Sequence, residues 1–265
     1  MSIMSLMTDF GTQDGFVGVM KGVIWGICPK VQIADISHSI QPQNVLQGAV
    51  MLWRVAPYFE ADSVHVAVVD PGVGTKRRAM AAQLGDQLYV VPDNGLLTPL
   101  IMDAETDGLH MAFFDLDNSK YWLNQVSQTF HGRDIFAPVG AHLAAGVPLA
   151  ELGTPMDDPV LLPWSRPKKT DFGWEAHITA IDVFGNIRTD LRADQVVDIE
   201  PVVVHILGRE IDGLVDSYGH RQLGELVSLV DSEGYIEVAI VNGNAARALS
   251  AKAGDLVKVL SKSTL

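Results

Sequence analysis

The sequence has one cysteine, Cys28, so it can form neither an internal disulfide nor a multi-thiolate metal centre within one chain. Cys28 closes an apolar stretch and reads as a small buried core residue. Basic residues are also scarce. Lys and Arg total 19 against 32 Asp and Glu, a formal net charge of -13. A chain of that sign repels phosphate backbones, which excludes nucleic acid as the expected partner. Acidity also suits a cationic ligand, although solubility alone accounts for it. No apolar run approaches the ~18 residues of a membrane span. Residues 1–9 lack the basic n-region and cleavage pattern of a secretory signal. The expectation is a cytoplasmic protein with no membrane partner. Eight histidines are present, yet no H-x-H, H-E-x-x-H or EF-hand spacing appears, so no metal is expected.

What is present is a chain of 265 residues, long enough for one large domain or two smaller ones. Its first part alternates strand and helix patterns. Residues 2–7, 31–36 and 63–69 read as buried strands, the last a nearly unbroken apolar run of the kind found inside parallel sheets. Residues 16–28 carry apolar side chains at helical spacing, and residues 44–59 and 133–145 read as further helices. Residues 79–84 and 88–91 bracket Gly85-Asp86-Gln87, a hairpin signal, and residues 109–114 are a last strand. This predicts an α/β domain over residues 1–154. Four prolines and a basic run then mark residues 155–174 as a linker. Residues 175–265 predict a smaller all-β, barrel-like domain with strands at 175–182, 202–207, 225–230, 235–241 and 256–260, and one short helix at 245–251. The segment 181–190 breaks this β pattern and reads as a loop between two strands.

Several strands end in acid-glycine clusters: S-L-M-T-D-F-G-T-Q-D from Ser5, V-V-D-P-G-V-G-T-K-R-R from Val68, and Y-V-V-P-D-N-G-L-L-T-P from Tyr89. Ligands of open α/β sheets bind beyond the carboxyl ends of strands, so these three ends suggest one composite site, although each is also compatible with a plain turn. None is a Walker A loop or a complete dinucleotide fingerprint. T-F-H-G-R-D-I-F-A-P from Thr129 sets His131 in a glycine-containing turn before a helix, where ligands gather.

Taken in order, T-D-F-G-T-Q-D-G-F-V-G-V-M-K-G-V-I at Thr8, V-D-P-G-V-G-T-K-R-R at Val69, P-D-N-G at Pro92, F-H-G-R-D-I-F-A-P at Phe130, F-G-N at Phe184 and G-N-A-A at Gly243 resemble the S-adenosyl-L-methionine (SAM) hydroxide adenosyltransferases. These are relatives of the SAM-dependent fluorinating and chlorinating enzymes, and the resemblance covers nearly the whole chain. It implies hydrolysis of SAM to adenosine and L-methionine, with no cofactor. It also implies a homotrimer whose sites lie between the amino-terminal domain of one subunit and the carboxy-terminal domain of its neighbour. A water-activating triad falls on Asp70, Arg77 and His131, the choice of Arg77 over Arg78 resting on register. Substrate contacts fall on Asp9 (ribose hydroxyls), Asp14 and Phe16 (methionine and sugar), Asp182 and Asn186 (methionine amino group and adenine), Phe184 (ring stacking), Ser232 (methionine carboxylate) and the backbone near Ala246 (adenine). Glu233 follows Ser232 where the halogenating relatives carry Arg.

The implied chemistry is self-consistent. A sulfonium departs as a neutral thioether in nucleophilic substitution at C5′, helped by positioning and partial desolvation of water. Asp70 and His131 can accept or relay a proton, whereas Arg77 is too basic to do so. A carboxylate at position 70, where the halogenating relatives usually have Tyr, repels halide. Two other readings stay open at this level: a chlorinase of the same family, and a non-catalytic SAM-binding sensor or sink.

Overall fold

The computed structural model describes residues 2–262; residues 1 and 263–265, the outer ends of the two expected domains, lie outside the described residues. The chain divides into two compact units, Met1–Trp164 and Ser165–Leu265.

The first unit runs β1 (Ile3–Thr8), α1 (Phe16–Ile27), β2 (Gln32–Ser37), α2 (Val45–Val55), β3 (Val64–Val68), β4 (Ala79–Leu84), β5 (Gln87–Pro92), α3 (Thr98–Thr106), β6 (Met111–Asp115), α4 (Ala137–Ala144) and β7 (Thr154–Met156). Its seven strands form one sheet in the order β2-β1-β3-β5-β4-β6-β7. The pairs β2-β1, β1-β3 and β3-β5 are parallel, and the rest are antiparallel. Helices cover both faces. Met20 and Ile24 of α1 join Phe136 and Val139 over Met4, Leu6 and Val66. On the other face Leu52 of α2 and Ile101 of α3 pack on Met7, Ala67 and Val91. This is an α/β domain.

Local chemistry sets the ends of these elements. The Asn44 side chain accepts from Gln47 N at 3.0 Å and starts α2. The helix expected over residues 44–59 stops at Val55 and tightens into a 3-10 turn at Ala56–Tyr58, because Pro57 removes a donor from the ladder. Helix α3 was not foreseen. Its apolar spacing is weak, and Pro99 in its first turn is the one signal. It displaces the following strand to Met111 from the expected residue 109. Cys28 is half-buried at the edge of the first core, not fully inside it.

The second unit is built of strands: β8 (Lys168–Thr170), β9 (Gly173–Ile181), β10 (Ile187–Arg192), β11 (Val202–Ile206), β12 (Arg209–Asp212), β13 (Leu226–Val230), β14 (Tyr235–Ile240) and β15 (Leu256–Ser261), with α5 (Ala245–Leu249) before the last. The order is β12-β11-β15-β9-β10-β14-β13, with β8 paired to β9. A bridge between Val215 and Leu229 nearly closes the sheet into a barrel. Ala176, Ile178, Ile187, Val204, Ile236 and Val257 fill its core. Strand β10 lies where a loop was expected. Its Arg188, Thr189 and Asp190 are buried, so polar residues hid a strand that tertiary contacts stabilise. The expected linker at 155–174 also contains strand residues, with Pro155 tolerated because β7 is an edge strand.

Candidate active site

Strand β1 has β2 on one side and β3 on the other, so the winding reverses at β1. In such sheets a crevice opens beyond the carboxyl ends of the strands flanking the reversal. A cavity of about 470 Å³ lies there, lined by residues that include Phe10, Phe16, Val68, Asp70, His131 and Arg133. Phe10, Phe16 and Phe130 meet edge to face, with ring centroids 5.2–6.1 Å apart, and give the cavity an apolar wall.

Asp70 and His131 line this cavity, and Arg77, which is not among the lining residues, joins the two. Arg77 Nε donates to Asp70 Oδ1 at 3.1 Å, and Arg77 Nη2 lies 2.5 Å from Asp70 Oδ2. The same Nη2 is 3.1 Å from His131 Nδ1. The Asp70 and Arg77 side chains are only 4% and 8% exposed, so their pairing is shielded from water. The guanidinium also sits over the Phe136 ring, 5.3 Å from its centroid. Burial and the charge of Arg77 lower the His131 pKa below its ordinary 6.5, against the opposing pull of Asp70 and Asp134. Since an arginine can only donate, His131 Nδ1 accepts. His131 is then neutral, with its ring proton on Nε2.

Two turns fold the chain so that Arg77 returns to Asp70. Thr75 N and Thr75 Oγ1 donate to Gly72 O, and Arg77 N donates to Thr75 Oγ1. Gly74 has φ +74°, and a Cβ there would lie 2.2 Å from Gln128 O. Only glycine lets this loop close on the loop that carries His131. His131 starts one turn of π-helix, Gly132–Phe136, that leads into α4, so the helix begins one residue before the expected position and is wider at the site.

Residues that sequence reasoning did not single out support this cluster. Asp134 is fully buried and accepts from Ser127 N, Ser127 Oγ and Arg133 Nε at 2.5–2.8 Å. Burial works to raise its pKa, but these hydrogen bonds outweigh it and hold the carboxyl below its ordinary value. Asn94 Nδ2 donates to Val69 O at 2.8 Å, directly behind Asp70. The P-D-N-G motif therefore braces the site from behind, and its Asp93 is not among the residues lining the cavity. Asp93 instead accepts from Arg78 Nε at 2.8 Å, and Arg78 also bonds Asp158. Adjacent arginines thus serve different places, Arg77 at the Asp70–His131 pair and Arg78 at the 158–160 segment.

The expected substrate residues are distributed over both units. Asp9 is half-buried and accepts from Gln43 N at 2.7 Å; Asp14 is exposed in the turn before α1, and Phe16 lines the cavity. In the second unit Asp182 organises its own loop, accepting from Phe184 N, Asn186 N and Asn186 Nδ2 at 2.8–3.0 Å. Phe184 is 72% exposed. This loop meets the G-N-A-A segment: a Cβ on Gly185 would lie 2.1 Å from Asn244, and Ala246 N donates to Gly185 O. Ser232 is exposed in the turn after β13, and the neighbouring Glu233 pairs with Arg188. Among the described residues, no group of three or more His, Cys, Asp or Glu is arranged to hold a metal ion. No helix of the described residues is long and apolar enough to cross a membrane.

The family models for the SAM hydroxide adenosyltransferase N-terminal and C-terminal domains match residues 4–153 and 176–258. The chain belongs to the SAM hydroxide adenosyltransferase family. A relative from Salinispora tropica named (R)-S-adenosyl-L-methionine hydrolase is 41% identical over 96% of each chain. One of the same name from Methanocaldococcus jannaschii is 34% identical, covering 98% of this chain and 96% of its own. A fluorinase from Actinoplanes sp. is 29% identical over 97% of each. A solved structure of an uncharacterized conserved protein from Thermotoga maritima matches with a TM-score of 0.89 at 35% identity, covering 97% of this chain and 99% of that one. Within this adenosyltransferase family, the chain carries Asp70 and Arg77 in direct contact.

Proposed function

We propose that this chain is an enzyme that hydrolyses S-adenosyl-L-methionine to adenosine and L-methionine. The observation that carries the reading is the Asp70–Arg77–His131 cluster, in which a shielded Asp70–Arg77 pair meets His131 and both Asp70 and His131 line a largely apolar cavity. Water loses a proton to Asp70 as its oxygen attacks ribose C5′, and the C5′–S bond breaks with its electron pair returning to sulfur. Arg77 fixes the Asp70 carboxylate by two contacts and, through Nδ1, sets the tautomer of His131. The Nε2–H of His131 orients the attacking oxygen. Proton acceptance of this kind contributes typically ~10²–10⁴-fold, and the aromatic wall supplies desolvation. Departure of a neutral thioether requires neither metal nor redox cofactor, so the reaction is expected to be indifferent to chelators.

In this proposal Asp9 holds the ribose hydroxyls, with Asp14 and Phe16 beside the methionine and sugar. Asp182, Phe184, Asn186, Ser232 and the backbone at Ala246 take the methionine and adenine parts. Following the family resemblance, the active form is a cytoplasmic homotrimer with each site at a subunit interface; sedimentation of the purified protein reads the trimer.

The test is chromatographic product analysis after incubation with SAM, with and without chloride, alongside Asp70→Ala and His131→Ala. Adenosine and methionine in equal amounts, independent of chloride and lost in both variants, support hydrolysis. A chlorinated nucleoside would make the chain a chlorinase, and binding without turnover would make it a sensor.

A further inference from the structure

Behind the cavity runs a chain of polar groups that the proposed reaction does not use. Lys21 Nζ donates to Asp35 Oδ2 at 2.6 Å. His38 Nε2 lies 3.1 Å from Asp35 Oδ1, off the line of a strong hydrogen bond. His38 Nδ1 is 2.9 Å from Thr8 Oγ1, and Phe10 N donates to that same Oγ1 at 3.2 Å. Thr8 is fully buried and His38 nearly so. The directions agree from end to end. An Asp35 carboxylate beside Nε2 favours the proton there, so Nδ1 accepts from the Thr8 hydroxyl, whose lone pair faces the Phe10 amide. His38 takes a second grip, since its carbonyl accepts from Gly11 N at 2.8 Å. Phe10 and Gly11 directly follow Asp9, whose carboxylate is fixed on its other side by Gln43 N.

We infer that His38 is a positioning residue for nucleoside recognition: acting through Thr8, it fixes the Asp9–Gly11 turn and so aims Asp9 at the ribose. This rests on the proposed role of Asp9. A histidine between a buried hydroxyl and a carboxylate resembles a nucleophilic triad. However, Thr8 is wholly enclosed and its hydroxyl is engaged at both atoms, so it serves as a strut. The buried part of this chain, His38 to Thr8 to the Phe10 amide, holds one geometry because each member loses its partner if another moves.

The test is calorimetric binding of adenosine and of 2′-deoxyadenosine to the full-length protein, with melting temperature as the folding control. The wild type is expected to prefer adenosine about tenfold or more, the scale of a hydrogen bond to a charged acceptor. Asn places a polar atom where His has Nδ1, whereas Gln places one near Nε2. His38→Asn is therefore expected to keep the preference within about twofold, while His38→Gln and Thr8→Val reduce it at least about fivefold. Asp9→Asn should abolish the preference, and adding His38→Gln to it should remove nothing further. Equal weakening of both nucleosides, additive effects of the two substitutions, or no ribose preference in the wild type would overturn the inference. Wild-type protein that prefers adenosine yet leaves SAM intact would sink the hydrolase reading while this one still stands.

Discussion

Arg77 spans both carboxylate oxygens of Asp70 and, with the nitrogen nearest Oδ2, also reaches His131 Nδ1. One planar group thus fixes two side chains that are 61 residues apart in sequence (131 minus 70). An ammonium has the charge but not the fork.

Arg77→Lys is therefore expected to lower kcat about 10²-fold or more while leaving the Kd for SAM within a few-fold. Single-turnover kinetics beside calorimetric binding would check this. Unchanged kcat would show that charge alone suffices.

Gly74 meets two constraints together, a left-handed φ and a 2.2 Å approach to Gln128 O. Gly74→Ala should cost about 1–3 kcal/mol of stability and lower kcat by one to two orders of magnitude, because the Asp70 and His131 loops part. Urea unfolding and steady-state kinetics on the same sample give both values. A variant as stable and active as wild type would refute the account of the loop contact.

The lowered pKa of His131 fixes the acid limb of the activity profile. Protonated His131 cannot accept from Arg77, and two cations would then face each other. The half-maximal point of the acid limb should lie below pH 6.5, in a limb that His131→Asn removes. A half-maximal point at or above pH 6.5 would contradict the burial and charge effects assigned here.

His65 offers a stability test away from the cavity. It is wholly enclosed, bonded to Ser5 Oγ and stacked on Tyr89, and burial lowers its pKa to about 4. The unfolded chain binds the proton first, so the stability held above pH 6.5 declines as pH falls from 6.5 to about 4. The full decline is about 3 kcal/mol. Urea midpoints measured across that window should flatten in His65→Asn, after allowance for its lower baseline.

Much of this was legible in the sequence for a physical reason. Strands such as β3 are buried on both faces and so read as nearly continuous apolar runs, and α1 shows its packing in Met20 and Ile24. Strand β10 was illegible because its buried residues are polar and satisfied by partners distant in sequence, such as Glu233 for Arg188. The α/β and β-domain division was legible in the change of pattern. Asp70, Arg77 and His131 were named through motif resemblance, and spacing could not have shown that they meet. Asn94 and Asp134 carried no such signal. Each sits within a quoted motif, but the carbonyl and amide that it grips are set by the fold.

The reversal of winding at β1 separates two tasks. The turn after β1 carries the residues proposed to hold the sugar, while the turn after β3 carries the acid proposed to face the incoming nucleophile. Neither turn depends on the other for its internal hydrogen bonds. Such an arrangement lets the identity of the attacking group drift in evolution by changes at one strand end, with nucleoside recognition inherited intact at the other. A family that includes both hydrolases and fluorinases is the kind of descent this modularity permits.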